Sequence, residues 1–324
     1  MLTSLLNSLI SLPFLIAAGG LDYCKTVSGY ETWTPECRWQ NQTSLHHIAK
    51  TSSPNLNSIS IWITRDWKEE WYSPDIIKRE VIDQGYIPIY IFYWFADDIS
   101  QDFVINNKDA YFQALRRFSH YLTKIPGEKV VILNPEFNQE DIPHWQGFNQ
   151  ILSASLQMVK SVDGVKAGFC LGDFGNYQIK NDIENWKLFH PSIQTAIEQS
   201  DFIAFQEMRA LTRNSSSDVL NTAQRSLNFA TYLHKTYKKP TFLAYLALSS
   251  RGDQAEEQQA QLLHEYADLM PKFKQQAQLI GFNYFHYFDQ PNQRGYFLEA
   301  EPFFGLHNKK GRAKPSLEGF NRIK

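Results

Sequence analysis

The chain has 324 residues, 43% hydrophobic and 20% charged, so a large core is available and a disordered chain is excluded. The net charge is −2 and no basic run or stripe occurs, which argues against a nucleic-acid partner. Nothing in the composition shifts along the chain, so one domain is the economical reading.

Met1 to Gly19 carry no charged side chain. Leu9 to Ala18 fit a signal-peptide core, and Ala17-Ala18-Gly19-Gly20 offer small residues for cleavage. Residues 1–20 are therefore a candidate signal peptide, with a secreted or periplasmic location expected, and the run is short for a membrane span. The same stretch also reads as a first buried strand beginning at Pro13. Cys24 and Cys37 are close enough in sequence for a disulfide, whereas Cys170 falls in an apolar run and reads as inert core. His46-His47 lacks a third ligand at metal spacing, so neither a metal nor a cofactor is expected.

From residue 58 onward strand-like and helix-like runs alternate. Strands are expected at 58–64, 87–95, 130–136, 165–173, 202–208, 241–248 and 279–288, each rich in Val, Ile, Phe or Tyr between turn residues. Helices are expected at 74–84 after Ser73, at 110–124, at 145–162, at 219–238 capped by Asp218, at 254–278 and at 316–323. An eighth strand has to lie before residue 58, at 14–18 or within 21–33. Repeated βα units of this size predict a single (β/α)₈ TIM barrel over residues 21–324. A doubly wound open sheet is disfavoured because no Gly-rich phosphate loop follows any strand.

In such barrels the chemistry sits at the C-terminal strand ends. Glu136 closes Val130-Val-Ile-Leu-Asn-Pro-Glu136, and Glu207 closes Phe202-Ile-Ala-Phe-Gln-Glu207. A carboxylate ending a buried run is costly unless something uses it. Alternation places Ile132, Asn134 and Glu136 on one face and Ile203, Phe205, Glu207 and Arg209 on another. If the apolar members fill the barrel, both glutamates point into its mouth, and Asn134 bonds Glu136 or a sugar hydroxyl. Arg209 then either holds a neighbouring carboxylate ionised or forms only a local ion pair with Glu207 at the rim. Asp173 ends the strand between them and is the reserve acid. Arg65-Asp66, Asp97-Asp98 and Asp289 put polar groups at other strand ends. Aromatics reach 15%, more than a core needs, and rings near strand ends suit the apolar face of a sugar. Trp94, Tyr245, Tyr284, His286 and Tyr287, with Arg65, Asn134, Arg209 and Asp289, are the candidate substrate-binding residues.

Asn134-Pro-Glu136, Gly281-Phe-Asn-Tyr-Phe-His-Tyr-Phe-Asp289, Phe304-Gly-Leu306, Gly311 and Lys314-Pro-Ser316 together resemble the clan of (β/α)₈ glycoside hydrolases whose acid/base glutamate ends strand four. Counting 58–64 as strand two makes 130–136 strand four, so the resemblance implies that Glu136 is the acid/base. Pro135 intervenes where the clan commonly has Asn directly before Glu. Strand seven, Phe242-Leu-Ala-Tyr-Leu-Ala-Leu-Ser-Ser250, carries no acid where the clan keeps its nucleophile. The expectation is thus a glycoside hydrolase acting on a poly- or oligosaccharide, with Glu136 as acid and Glu207, or in reserve Asp173, as nucleophile or base. The alternatives are a non-catalytic carbohydrate-binding barrel and a barrel enzyme of other chemistry, such as a polysaccharide lyase.

Overall fold

Runs of Ile, Val, Phe and Tyr become strands because branched and aromatic side chains fit a half-buried pleated surface. The computed structural model describes residues 12–21, 24–25, 33–34, 45–173 and 181–324. Eight parallel strands close into a barrel: β1 (Leu15–Ala18), β2 (Ser58–Thr64), β3 (Ile87–Tyr93), β4 (Lys129–Leu133), β5 (Val165–Gly172), β6 (Phe202–Arg209), β7 (Thr241–Leu248) and β8 (Leu279–Tyr284). Helices separate the strands and pack outside them, as the TIM-barrel reading requires.

β1 is the closing strand. Leu15 pairs with Gly281 of β8 and Ala17 with Ser58 of β2. The barrel therefore begins at Leu15 rather than at residue 21. Cutting at Gly20 would remove a strand paired on both sides and leave two unpaired edges. The 21–33 stretch gives instead a two-residue ribbon, Cys24–Lys25 against Trp33–Thr34, outside the barrel. Cys37, expected to partner Cys24, lies outside the described residues, and so do the side chains of His46 and His47.

Several element boundaries differ from expectation. The helix expected at 110–124 starts earlier, at Gln101, because the Ser100 hydroxyl accepts from the Phe103 amide. The one expected at 219–238 divides into Ser216–Leu220 and Thr222–Tyr237, with Ser215 as cap and Asp218 completing a capping box. The last expected strand breaks after Tyr284, and His286–Phe288 pairs with Gly305–His307.

Both faces of the barrel wall are apolar. Leu15, Ala17, Ile89, Ile91, Val130, Ile132, Phe202, Ala204, Phe242 and Ala244 fill the interior. Ile61, Phe92, Leu133, Phe169, Ile203, Phe205, Leu243 and Leu246 pack against the helices. Gly168 and Gly281 make room for the interior Phe202 and Phe242, whose rings a Cβ at either glycine would strike. Strands buried on both faces read as continuous apolar runs, so periodicity alone does not say which residues look inward.

Candidate active site

Two neighbouring strands present carboxylates through left-handed backbone. After β3, Ala96 has φ +51° and precedes Asp97; after β4, Asn134 has φ +46° and Glu136 φ +62°. Such conformations cost on the order of 1 kcal/mol or more in non-glycine residues and tend to gather at functional sites. Here they redirect the chain. Asn134 turns out of the barrel and donates to the Tyr111 hydroxyl at 3.0 Å. Glu136 turns into the mouth, where Tyr245 of β7 donates to its Oε1 at 2.6 Å. Asn138 fixes the turn, donating to the Gly172 carbonyl at 2.8 Å and accepting from the Gly172 amide at 2.7 Å.

Around Glu136 the mouth is aromatic. Trp62 packs against Tyr93, Tyr245 and Phe285 at centroid distances of 5.4, 5.2 and 5.5 Å. Tyr93 donates to Asp97 Oδ1 at 2.6 Å. Two carboxylates thus hang from two different phenols, with one indole packed against both rings. Burial pushes the Glu136 carboxyl up to about 7; the Tyr245 hydrogen bond opposes this, and the charges of Asp97 and Glu301 add to it. Burial also raises both phenols, with the Glu136 charge next in importance, so both remain protonated donors. Cys170, interior on β5, has its thiol pushed well up by burial, which makes it a poor nucleophile.

Polar atoms wait in this wall. Gln206 pairs in register with Tyr245, so it faces inward, and it is 4% exposed. Its Oε1 and the Trp62 Nε1 have no hydrogen-bond partner among the described residues. Beside Tyr93 an open cavity of 440 Å³ is lined by Thr64, Arg65, Asp66, Ala96 and Asp98. Arg65 is occupied there by Asp98 at 3.0 Å and by the carbonyls of Trp94 and Phe95. No group of three or more metal-ligating side chains occurs among the described residues.

Glu207 is not part of this mouth. It pairs in register with Leu246, a helix-facing residue, so it lies behind β6, with no side-chain exposure and an ion pair to Arg209 at 2.8 Å. The expected phase fails because Ile203 and Phe205 pack on helices while Phe202 and Ala204 fill the barrel. Arg209 follows Glu207 outward. Asp173 is likewise turned away, held by Arg225 and by Trp186 Nε1 at 2.7 Å. Burial raises the pKa of Glu207 and the Arg209 charge opposes it.

Other expected substrate residues also serve the scaffold. Trp94 packs beside Tyr111 and Phe95, under the Arg65 guanidinium. Tyr284 meets Gln259 Nε2 at 3.1 Å, and Tyr287 shares a 2.8 Å hydrogen bond with Ser53. Asp289 is tied to Lys314 at 2.6 Å and to the Gly305 amide at 2.9 Å. His286 stacks on Phe285 at 4.0 Å and is kept neutral because burial lowers its pKa to about 3. Of the expected set, Glu136 and Tyr245 meet in the mouth and Arg65 stands on its rim. Asp97, Tyr93, Trp62 and Gln206 complete it. Asp97 was visible as an acid at a strand end, but Gln206 sat on the face assumed to be outward.

No family model matches the chain, and no curated protein matches it in sequence. Solved structures do. The chain is similar to a GH5_18 protein of Bifidobacterium longum subsp. longum in complex with Manβ1-4GlcNAc, at 15% identity over 97% of this chain and 78% of that one, with a TM-score of 0.59. It is similar to fungal β-1,4-galactanases at 15% identity over 87% and 91% of the respective chains, TM-score 0.59. A GH128 endo-β-1,3-glucanase of Sorangium cellulosum gives 13% identity over 85% and 93%, TM-score 0.51. At these identities the likeness establishes the barrel fold. The chemistry rests on the mouth itself.

Proposed function

We propose that the protein hydrolyses O-glycosidic bonds in a poly- or oligosaccharide, with Glu136 as general acid and Asp97 as general base. The observation that carries this is Glu136: a carboxyl raised to about 7, held by a phenol and set among aromatic rings at the barrel mouth. A carboxylic acid protonated near neutrality is what the departing sugar oxygen needs. Glu136 gives its proton to the glycosidic oxygen as the C–O bond breaks. Asp97, exposed to solvent, takes a proton from the water that adds to the anomeric carbon. With Asp97 as base a water stands between the two carboxylates, which makes inversion the expected outcome. Gln206 Oε1 and Trp62 Nε1, buried and without a partner among the described residues, are the groups this reading leaves to accept from and donate to sugar hydroxyls. The names of the structural neighbours, galactanase and endo-glucanase among them, support the same reaction class.

Export belongs to the proposal only with a leader that ends ahead of β1. Reducing-end release from a panel of polysaccharides tests hydrolysis, and the anomer first formed tests inversion. One observation favours a second reading. β7 delivers Tyr245 rather than a carboxylate, so a sugar-binding barrel without turnover would show affinity and no release. An unsaturated sugar end among the products would instead mark a lyase.

A further inference from the structure

Four large hydrophobic residues are well exposed among the described residues, and two of them, Tyr296 (65%) and Leu298 (51%), lie on one loop after β8. We infer that Tyr296 is a stacking platform for a sugar unit bound beyond the cleavage point, so that the cleft accepts a glycan chain of several units. This rests on the reading of the mouth as a sugar site.

The ring is fixed rather than loose. The Arg213 guanidinium lies 4.7 Å from its centroid, and Arg213 Nε donates to the Tyr296 carbonyl at 3.1 Å. Thr212 donates to the Phe297 carbonyl at 3.0 Å, so the loop after β6 clamps the loop after β8. Both loops leave the C-terminal ends of their strands, the face that carries Glu136. With the guanidinium on one face, the 65% exposure of Tyr296 leaves the rest of the ring to solvent. Leu298 extends the apolar surface from a left-handed backbone at φ +56°.

A buried row of packed rings connects this platform to the acid. Tyr296 meets Phe297 at 5.1 Å, Phe297 meets Phe304 at 5.8 Å, Phe304 meets Phe285 at 5.9 Å, and Phe285 meets Tyr245 at 5.7 Å. Tyr245 holds Glu136. Only Tyr296 and Leu298, at the outer end of the row, offer apolar surface to a ligand, while Phe297, Phe304 and Phe285 are buried beneath them and anchor the platform to the barrel. A sugar offers an apolar C–H face for the ring and hydroxyls for Arg213, a combination that suits this pair.

Affinity electrophoresis through gels containing β-glucan, xylan, galactan or mannan tests the inference without requiring turnover. At least one polymer should retard wild type and Glu136→Gln alike. Tyr296→Ala should weaken that retention about three- to tenfold, with Tyr296→Trp restoring it and thermal melting unchanged. Retention unchanged in Tyr296→Ala, or no polymer retarding wild type, would overturn the platform. Retention without any sugar release counts against Glu136 as an acid and leaves the platform standing.

Discussion

Glu136 and Glu207 stand at the C-terminal ends of two strands of the same barrel, and burial raises the pKa of both. Their surroundings differ in kind. Glu136 keeps partial contact with solvent, is held by a neutral phenol and faces aromatic rings. Glu207 is sealed behind its strand and neutralised by Arg209. A displaced pKa therefore does not identify an acid catalyst; the side of the wall on which the group sits does. The wall side is decided at Glu136 by two left-handed residues, and at Glu207 by the phase of a strand that turns Ile203 and Phe205 toward the helices.

The widest separation between the two should appear in turnover. Glu136→Gln is expected to lower kcat about a thousandfold with little change in folding, as loss of a general acid does. A loss under about a hundredfold, read by sugar release, would erase the contrast. Glu207→Ala should show the reverse. Leaving Arg209 unpaired should cost about 3 kcal/mol in urea unfolding, with kcat close to wild type. A collapse of kcat in a folded Glu207→Ala protein would return Glu207 to the reaction. Asp97→Asn should cost about a hundredfold in kcat, which kinetics on the same substrate will measure.

Tyr245→Phe sharpens the comparison more finely. Its hydrogen bond stabilises the Glu136 carboxylate and so lowers the pKa. Without it the Glu136 pKa rises further, and the basic limb of the kcat profile should move to higher pH, with kcat down about tenfold. A limb that stays in place would separate it from Glu136. The last effect concerns stability rather than turnover. The Glu136 carboxyl is raised in the fold from an ordinary value of 4.5 to about 7, so its contribution is fully present below 4.5 and is lost as pH rises through 7. Thermal melts of Glu136→Gln against wild type should therefore diverge on the alkaline side, with the variant the more stable.

The barrel was legible because alternating apolar runs and helices of regular size leave few topologies open. Strands β2 and β7 fall where their residues place them, and β1 lay within one of the two stretches expected to hold it. The site was less legible for a physical reason. Ile203-Ala204-Phe205 gives no alternation of apolar with polar, so the inward phase of β6 had no signature and Gln206 was passed over. Glu136 reached the mouth, but not by the alternation that placed Asn134 beside it; two positive φ angles reversed the phase after Leu133. Asp97 was one of several acids at strand ends, and only its bond to Tyr93 sets it apart.

The most direct test is reducing-end release by wild type and Glu136→Gln over glucan, xylan, galactan and mannan, followed across neutral pH. Wild type should release sugar from at least one polymer, with activity falling as pH rises through about 7, and Glu136→Gln should release almost none. Equal release by the two proteins would contradict Glu136 as the acid. Silence from wild type with binding intact would contradict hydrolysis and favour the sugar-binding barrel.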